Sequence, residues 1–217
     1  MTDEDLAAIR WVGVARAGVN DERMALRHIH ARDGIASASD GYRCRRAPVS
    51  SSEGYVDLNG HAVKCDAKFP DTTRLFPEER GSLTVRAAPL KRLCERLIGS
   101  DDFAPVGDHG LIPVVLLRPR DGEVDALAMK IMSPHTFDPD TAPKHGAIVP
   151  GQVCGKFAYA IDARLLRDAL QGHKVARIAV GEAHGPITVK AEGKSLSVPE
   201  GAVEIIMGIA IPEEWAG

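Results

Sequence analysis

Residues 88–98 (APLKRLCERLI) and the two apolar stretches after them, IPVVLLRP (112–119) and VDALAMKIM (124–132), decide the fold. The first stretch predicts a helix, because Pro89 suits a first turn, Gly99 suits a C-terminal cap, and apolar side chains recur at helical spacing. These side chains belong to Leu90, Leu93, Cys94 and Leu97. The two later stretches have strand character with a short turn between them, so a helix followed by an antiparallel hairpin is expected.

The same order of a helix followed by strands occurs before and after this stretch. Further helices are predicted at 4–17 and 161–171. The accompanying strands are predicted at 24–32, 35–43, 175–181, 186–192 and 202–211, the first two joined by an Asp33-Gly34 hairpin turn. Residues 133–150 are rich in Pro, Asp, Thr and Gly and predict a long loop. Helices packed on antiparallel sheets define an α+β fold.

Composition excludes several classes of protein. The chain has 217 residues, of which 44% are hydrophobic and 26% charged, so it is neither disordered nor fibrous overall. The first residues, MTDEDLAAIR, lack the basic and apolar regions of a signal peptide, and no apolar run could cross a membrane. We therefore expect a soluble, cytoplasmic protein with no membrane partner. Four dispersed cysteines without paired spacing are expected to be free thiols, with Cys94 in the core.

The charges are evenly balanced along the chain but unevenly distributed among its elements. There are 27 Lys and Arg against 30 Asp and Glu, and the segments 1–80, 81–150 and 151–217 each carry a formal charge of −1. The predicted helices are nevertheless rich in basic residues, while the acidic residues concentrate in turns and near the C-terminus. A face built from the helices could therefore be positive in a chain whose net charge is −3.

No coherent set of catalytic residues is present in the sequence. It contains no glycine-rich phosphate loop, no nucleophile elbow and no His-Glu-x-x-His motif, so we expect no enzyme activity, no cofactor and no metal. His28 and His30 alternate on a predicted strand but have no third ligand at a recognisable spacing. A metal-dependent enzyme would have to use the loop residues His135, Asp138, Asp140 and His145, and this alternative stays open.

Three motifs in order resemble the bacterial DNA polymerase sliding clamp, the DNA polymerase III beta-subunit family. Residues 39–43 (SDGYR), closed by 47–49 (APV), resemble the Asp-Gly-His-Arg-Leu turn of that family's middle domain. Residues 68–77 (KFPDTTRLFP) resemble the connector into the last domain, and 204–212 (EIIMGIAIP) resemble the apolar C-terminal strand. Residues 159–170 also look like the last-domain helix and its strand.

The resemblance implies a DNA-clamp-like α+β fold in which helices line a hole for duplex DNA and sheets lie outside. Basic residues on the helices would then attract phosphates without reading sequence. The candidate DNA-facing residues are Arg10, Arg16, Arg23, Lys68, Lys91, Arg92, Arg96, Arg164 and Arg167.

The resemblance also implies that the chain captures short linear peptides of DNA polymerases or repair proteins in an apolar cleft. Carried over position by position, the cleft would involve Leu26, Gly41, Tyr42, Arg43, Cys44, Pro70, Arg74, Leu75, Ile205, Met207, Gly208, Ile209 and Ile211. Apolar walls would supply burial energy, and methionine would adapt to varied side chains.

The chain departs from the family in length and in sequence. It is too short for three clamp domains and is expected to hold about one and a half, an abbreviated domain at 1–80 and a domain at 81–217 with a 133–150 insertion. Gly208 stands where the family has proline, Ala210 where it has arginine, and Cys44 where it has leucine. A homo-oligomer is expected if a ring closes. The alternative is a clamp-derived peptide-binding module without ring or DNA binding.

Overall fold

The computed structural model describes residues 1–50, 53–99, 112–120, 123–131, 145–181, 185–195 and 197–209. These residues form three α-helices and twelve β-strands, and the strands pair antiparallel. The chain divides into two compact units. Unit 1 comprises Met1–Phe76 and Gly193–Ile205, and unit 2 comprises Pro77–Glu192 and Ile206–Gly217.

Unit 1 contains one α-helix, α1 (Asp3–Gly13), among its described residues. Its own strands are β1 (Ile29–Arg32), β2 (Ile35–Ser39), β3 (Arg43–Pro48) and β4 (Gly54–Val56). The strand order is β4-β1-β2-β3, followed by β12 (Val203–Met207), of which Val203–Ile205 belong to this unit. Single turns of 3₁₀ helix occur at Met24–Arg27 and Thr72–Leu75.

One face of the unit 1 sheet packs against α1. Side chains alternate along a strand, so Arg43 and Arg45 lie on the same face of β3, and they donate to the backbone oxygens of Val14 and Trp11. At the start of α1, Thr2 and Asp5 form a capping box. Asp5 also accepts from the backbone N–H and the hydroxyl of Ser50, both at 2.6 Å, which ties the helix N-terminus to the end of β3.

Unit 2 has two helices, α2 (Ala87–Gly99) and α3 (Ala163–Ala169). Its strands are β5 (Gly81–Arg86), β6 (Ile112–Arg120), β7 (Glu123–Ile131), β8 (His145–Cys154), β9 (Tyr159–Asp162), β10 (Val175–Val180), β11 (Pro186–Ala191) and the end of β12. The order is β12-β11-β10-β5-β8-β7-β6-β9.

Unit 2 is an internal repeat of two halves with the same order of elements. The halves are β5-α2-β6-β7-β8 and β9-α3-β10-β11-β12. In this repeat β9 is the counterpart of β5, and β10 is the counterpart of β6. The first strand of each half pairs with the strand that follows the helix of the other half, since β5 pairs with β10 and β9 pairs with β6. A bridge from Ala160 on β9 to Ile209 just after β12 corresponds to the pairing of β5 with β8. Leu90, Leu93, Cys94 and Leu97 of α2 and Leu166 of α3 lie in one continuous apolar core.

The sequence-based fold is confirmed in its main features. Three helices are each followed by antiparallel strands, and the helix predicted at 88–98 is α2. Arg32 pairs with Ile35, so Asp33 and Gly34 form the predicted two-residue hairpin turn. Cys94 is a fully buried core residue, and burial raises the pKa of its thiol to about 12.

Several predicted boundaries are wrong. The predicted helix 4–17 ends at Gly13, and the one at 161–171 starts at Ala163, where the Asp162 carboxylate accepts from Arg164 N–H. The predicted strand 24–32 begins with a 3₁₀ turn, because Leu26 N–H donates to Arg23 O instead of a strand partner. Residues 40–42 turn between β2 and β3 within the predicted strand 35–43, and β12 ends at Met207 within the predicted 202–211.

The predicted loop 133–150 is wrong over its last part. Residues 145–150 belong to β8, which pairs with β5 and β7 inside the sheet, although local composition favours a loop. Residues 133–144 lie outside the described part of the chain. Within the described ranges, no helix is long and apolar enough to span a bilayer.

Candidate nucleic-acid interface

Two arginines on the outer face of α2 have no acidic partner in the described part of the chain. Arg92 and Arg96 are exposed and four residues apart, so they lie on one side of the helix, away from its buried apolar stripe. Among the described residues, neither makes a side-chain ion pair or hydrogen bond. Lys91 differs, because its Nζ donates to Gln171 Oε1 at 2.6 Å and lies 3.7 Å from Glu95. The free positive charge of α2 is therefore concentrated on Arg92 and Arg96.

The two arginines of α3 are paired with neighbouring aspartates. Arg164 Nη2 lies 2.6 Å from Asp162 Oδ2, and this hydrogen bond raises the pKa of the guanidinium. Arg167 Nη2 lies 2.7 Å from Asp168 Oδ1. Each charge is offset locally, so α3 offers less attraction to a phosphate backbone than its composition suggests.

In unit 1 the four predicted basic residues Arg10, Arg16, Arg23 and Lys68 have four different surroundings. Arg10 is exposed on α1 and has no ion pair among the described residues. Arg16 Nε donates to Gly13 O, which caps the C-terminal end of α1. Arg23 pairs with Asp21 at 2.7 Å and lowers the pKa of that carboxyl to about 2. Lys68 lies beside the sheet face opposite α1, so the structure does not bring it together with Arg10.

The turn between β2 and β3 displays an aromatic side chain. Asp40 Oδ1 accepts from the backbone N–H of Tyr42 and of Arg43, both at 2.9 Å, and Arg43 Nε lies 3.1 Å from Asp40 Oδ2. Gly41 has φ +93°, and a Cβ there would lie 2.4 Å from Arg23 Nη1. Tyr42 is consequently held at 69% exposure on a turn with an ordered backbone.

The other cleft residues predicted in unit 1 vary in accessibility. Leu26 and Ile205 are buried, as is Cys44, whose thiol pKa burial raises to about 12. Pro70 and Arg74 are exposed, Arg74 lying 3.3 Å from Asp71, and Leu75 is half-buried. In this unit a peptide could reach the side chains of Tyr42, Pro70 and Arg74, whereas the buried residues support the surface from beneath.

In unit 2 the structure explains the glycine at position 208. Gly208 N–H donates to Gly185 O, and a Cβ would lie 2.5 Å from Tyr159 Cε1. The Tyr159 hydroxyl also donates to Gly185 O. Proline would remove the N–H and collide with the tyrosine ring. Met207 is exposed and Ile209 half-buried, while Ile211 and Ala210 lie outside the described residues.

The metal-enzyme alternative gains no support from the described residues. Its proposed ligands His135, Asp138 and Asp140 lie outside them, and His145 is the first residue of β8. Among the residues that are described, no three His, Cys, Asp or Glu side chains are grouped to hold a metal. His28 precedes β1, and His30 stacks on Phe69 with ring centroids 5.0 Å apart.

The sequence reasoning missed the buried ion pair of unit 1. Arg45 Nε donates to Glu204 Oε2 at 2.7 Å, both side chains are buried, and the guanidinium also lies over the Trp11 ring. Alternation along β3 could have indicated that Arg45 and Arg46 face opposite sides of the sheet. No local signal identifies Glu204 as the partner, since 159 residues separate the two.

Nearly the whole chain superposes on solved structures of sliding clamps. The B. subtilis DNA polymerase sliding clamp superposes with a TM-score of 0.69 over 97% of this chain, at 15% identity. The fold is that of a bacterial sliding clamp. The C. crescentus beta sliding clamp superposes with a TM-score of 0.69 over 96% of this chain, at 16% identity. A Bartonella birtlesii sliding clamp bound to griselimycin superposes with a TM-score of 0.68 over 95% of this chain, at 13% identity.

The same superpositions confirm that the clamp fold is shortened. The chain spans 63–64% of the length of these three clamps. No protein-family model matches the sequence, and comparison with curated proteins gives no match. At such low identity the superpositions establish the fold and the resemblance in architecture that the motifs predicted.

Proposed function

We propose that this protein is a non-catalytic, clamp-like protein that holds duplex DNA without sequence preference and tethers replication or repair proteins. The observation that carries the proposal is the pair Arg92 and Arg96, exposed on a helix of a sliding-clamp fold with no acidic partner among the residues that the structure describes. Residues 1–80 would act as an abbreviated clamp domain and residues 81–217 as a complete one. The basic helices would contact the DNA, and a peptide-binding surface would bind the partner proteins.

The DNA contact would be electrostatic. Phosphates attract exposed guanidinium groups and release condensed counterions, so affinity would fall steeply with salt. Arg92, Arg96 and Arg10 would contribute most, because they are exposed and unpaired among the described residues. Arg164 and Arg167 would contribute less, since Asp162 and Asp168 offset their charges.

The test is duplex binding by fluorescence anisotropy across a salt series. The double variant Arg92→Gln/Arg96→Gln should reduce the slope of log affinity against log salt by about 2, because each lost phosphate contact removes about 0.9. The matched control, Arg164→Gln/Arg167→Gln on α3, should change the slope by less than half as much. An unchanged slope in the α2 variant would assign Arg92 and Arg96 to ordinary solvent-exposed positions.

A closed ring would need more than one copy, because the chain spans about 63% of a clamp chain. We propose a homo-oligomer that encircles DNA. Analytical ultracentrifugation should then give a defined oligomer, and the protein should stay on nicked circular plasmid and dissociate when the plasmid is linearised. A monomer released equally from both forms would contradict the ring and leave the peptide-binding proposal standing.

Partner capture would use the surface around Tyr42. A tyrosine 69% exposed on an ordered turn of unit 1 is a suitable aromatic anchor. The exposed Met207 of unit 2 is a second candidate contact, tested by its own variant. A labelled peptide carrying a clamp-binding motif should bind the wild-type protein, and Tyr42→Ala or Met207→Ala should weaken it about tenfold or more. Ile148→Ala, also at an exposed apolar residue, is the control and should leave affinity unchanged.

A peptide-binding module without DNA contact is the second candidate. Pairing of Arg23, Arg164 and Arg167 with aspartates and of Lys91 with Glu95 favours it, because four of the nine predicted DNA-facing charges are offset. Peptide binding with no salt-dependent DNA affinity would select this alternative.

A further inference from the structure

Unit 1 has a second polar surface, on the sheet face opposite α1. Side chains on neighbouring strands stand directly opposite one another there, with His30 of β1 facing Ser37 of β2, and Ser37 facing Arg46 of β3. Arg46 lies on this face because Arg45, the preceding residue, faces α1. Residues 68–73 cover the row and enclose a cavity of about 460 Å³. That volume suits a small organic ligand.

The cavity contains more positive than negative charge. Arg32, Arg46 and Lys68 line it together with Asp33 and Asp71. Both acids are already engaged, because Asp33 lies 3.2 Å from Arg32 and Asp71 accepts from the backbone and hydroxyl of Thr73. Within the described parts of the chain, neither Arg46 nor Lys68 has an acidic partner. These two cations are therefore available to an anion.

Arg46 has an unfilled hydrogen-bonding capacity. Its Nε is buried and donates to no acceptor among the residues that the structure describes. The Phe76 ring, 4.9 Å from the guanidinium carbon, holds the group in place by a cation–π contact. A buried N–H without an acceptor costs free energy, and a planar guanidinium binds the oxygens of a phosphate with paired hydrogen bonds.

We infer that this cavity is a binding site for a phosphate group, carried by a small molecule of nucleotide size. Arg46 binds the phosphate oxygens, Lys68 supplies a second positive charge from the covering segment, and the Ser37 hydroxyl and the His30 ring line the site between them. The lining of the cavity includes neither Arg92 and Arg96 nor Tyr42, and it shares Lys68 and Pro70 with the residues predicted to contact DNA and peptides.

The test is isothermal titration of the full chain with inorganic phosphate and with adenosine monophosphate at low salt, with chloride as the competing anion. Equal affinity for both ligands would show that the site recognises the phosphate group alone. Tighter binding of adenosine monophosphate would show that it also recognises the rest of the nucleotide, and either result supports the site. Arg46→Gln should weaken binding at least tenfold, and Lys68→Gln about threefold or more. Lys64→Gln, an exposed lysine outside the cavity, should have no effect.

Thermal unfolding keeps the test independent of folding defects. Phosphate should raise the unfolding temperature of the wild-type chain and of Lys64→Gln but not of Arg46→Gln, and Lys68→Gln should fold normally because Lys68 is exposed. Absence of phosphate binding to the wild-type chain at millimolar concentration, or equal binding by Arg46→Gln, would overturn the assignment. Loss of DNA binding in the α2 variant with phosphate binding intact would separate this site from the proposed clamp function.

Discussion

Unit 2 contains two halves of a repeat, whereas unit 1 contains a single helix with its strands. In unit 2, α2 and α3 contribute to one continuous apolar core, and β10 has the six-residue strand β5 beside it. In unit 1, the described residues include α1 alone, and β1 has the three-residue strand β4 beside it. Where unit 2 is held by leucine packing, unit 1 adds buried charged contacts.

Those charged contacts fasten both ends of α1. Asp5 binds Ser50 at the start of the helix, and Arg45 binds the Trp11 carbonyl near its end while pairing with Glu204. Specific polar contacts therefore hold α1 in place beside its buried side chains Ile9 and Val12. Such contacts are sensitive to the loss of either partner, whereas an apolar core loses stability in proportion to the volume removed.

The largest expected effect comes from breaking the buried pair of unit 1. Glu204→Gln should lower the free energy of unfolding by about 3–5 kcal/mol, because Arg45 would stay buried without a compensating charge. Hydrogen exchange should accelerate in β2 and β3 more than in β10 and β11. Glu200→Gln, at an exposed acid of the same unit, is the control. A loss below about 1 kcal/mol would mean that the pair contributes little to unit 1.

The apolar counterpart in unit 2 is Leu166, which is fully buried between α3 and the sheet. Leu166→Ala should cost about 2–5 kcal/mol through lost burial and a residual cavity. Urea denaturation measures the loss, and Leu165→Ala, at a half-buried neighbour on the same helix, should cost clearly less. Equal costs at the two positions would contradict the packing described for α3.

A smaller effect, with a pH signature, is expected at Asp5. The hydrogen bond from Ser50 is the main cause of the lowered pKa of this carboxyl, so the folded chain favours the ionised form. The stabilisation of the folded chain by the ionised Asp5 carboxylate is complete above the pKa of this group in the unfolded chain, about 4. It is lost as the pH falls below that value. Asp5→Asn should cost about 1–3 kcal/mol at pH 7.

Urea titrations at several pH values give the check. The difference between wild-type and Asp5→Asn chains should narrow steadily below about pH 4, because the Asp5 carboxyl takes up a proton in the unfolded chain there while the folded chain still favours the ionised form. Asp3→Asn, at an exposed acid two residues earlier, is the control. A constant difference down to pH 2 would show that hydrogen-bond geometry, not charge, is what Asp5 contributes.

The smallest expected effect is at the paired arginines of α3. Arg164 is 54% exposed in its pair with Asp162, and exposed ion pairs contribute little. Arg164→Gln should change the free energy of unfolding by less than about 1 kcal/mol, in contrast to the buried pair of Arg45. Thermal unfolding at low and high salt measures this change in stability. A larger loss would show that the pair of Arg164 and Asp162 stabilises the fold.

Much of the fold and less of the candidate site could be predicted from the sequence. The helix at 88–98 and the Asp33-Gly34 hairpin could be predicted, because caps, periodicity and turn residues act within a few positions of each other. The 145–150 stretch was not, since β8 is stabilised by pairing with β5 and β7 and its composition resembles a loop. Clamp-like motifs also indicated the architecture that the superpositions confirmed.

The sequence by itself determined the order of helices and hairpins and the presence of basic residues on the helices. Only the tertiary structure decided which of those charges are offset. Arg92 and Arg164 look equivalent in sequence, yet one is unpaired among the described residues and the other is bound to Asp162. Local propensity depends on neighbours along the chain, whereas charge pairing and burial, as for Arg45 with Glu204, depend on which distant residues folding brings together.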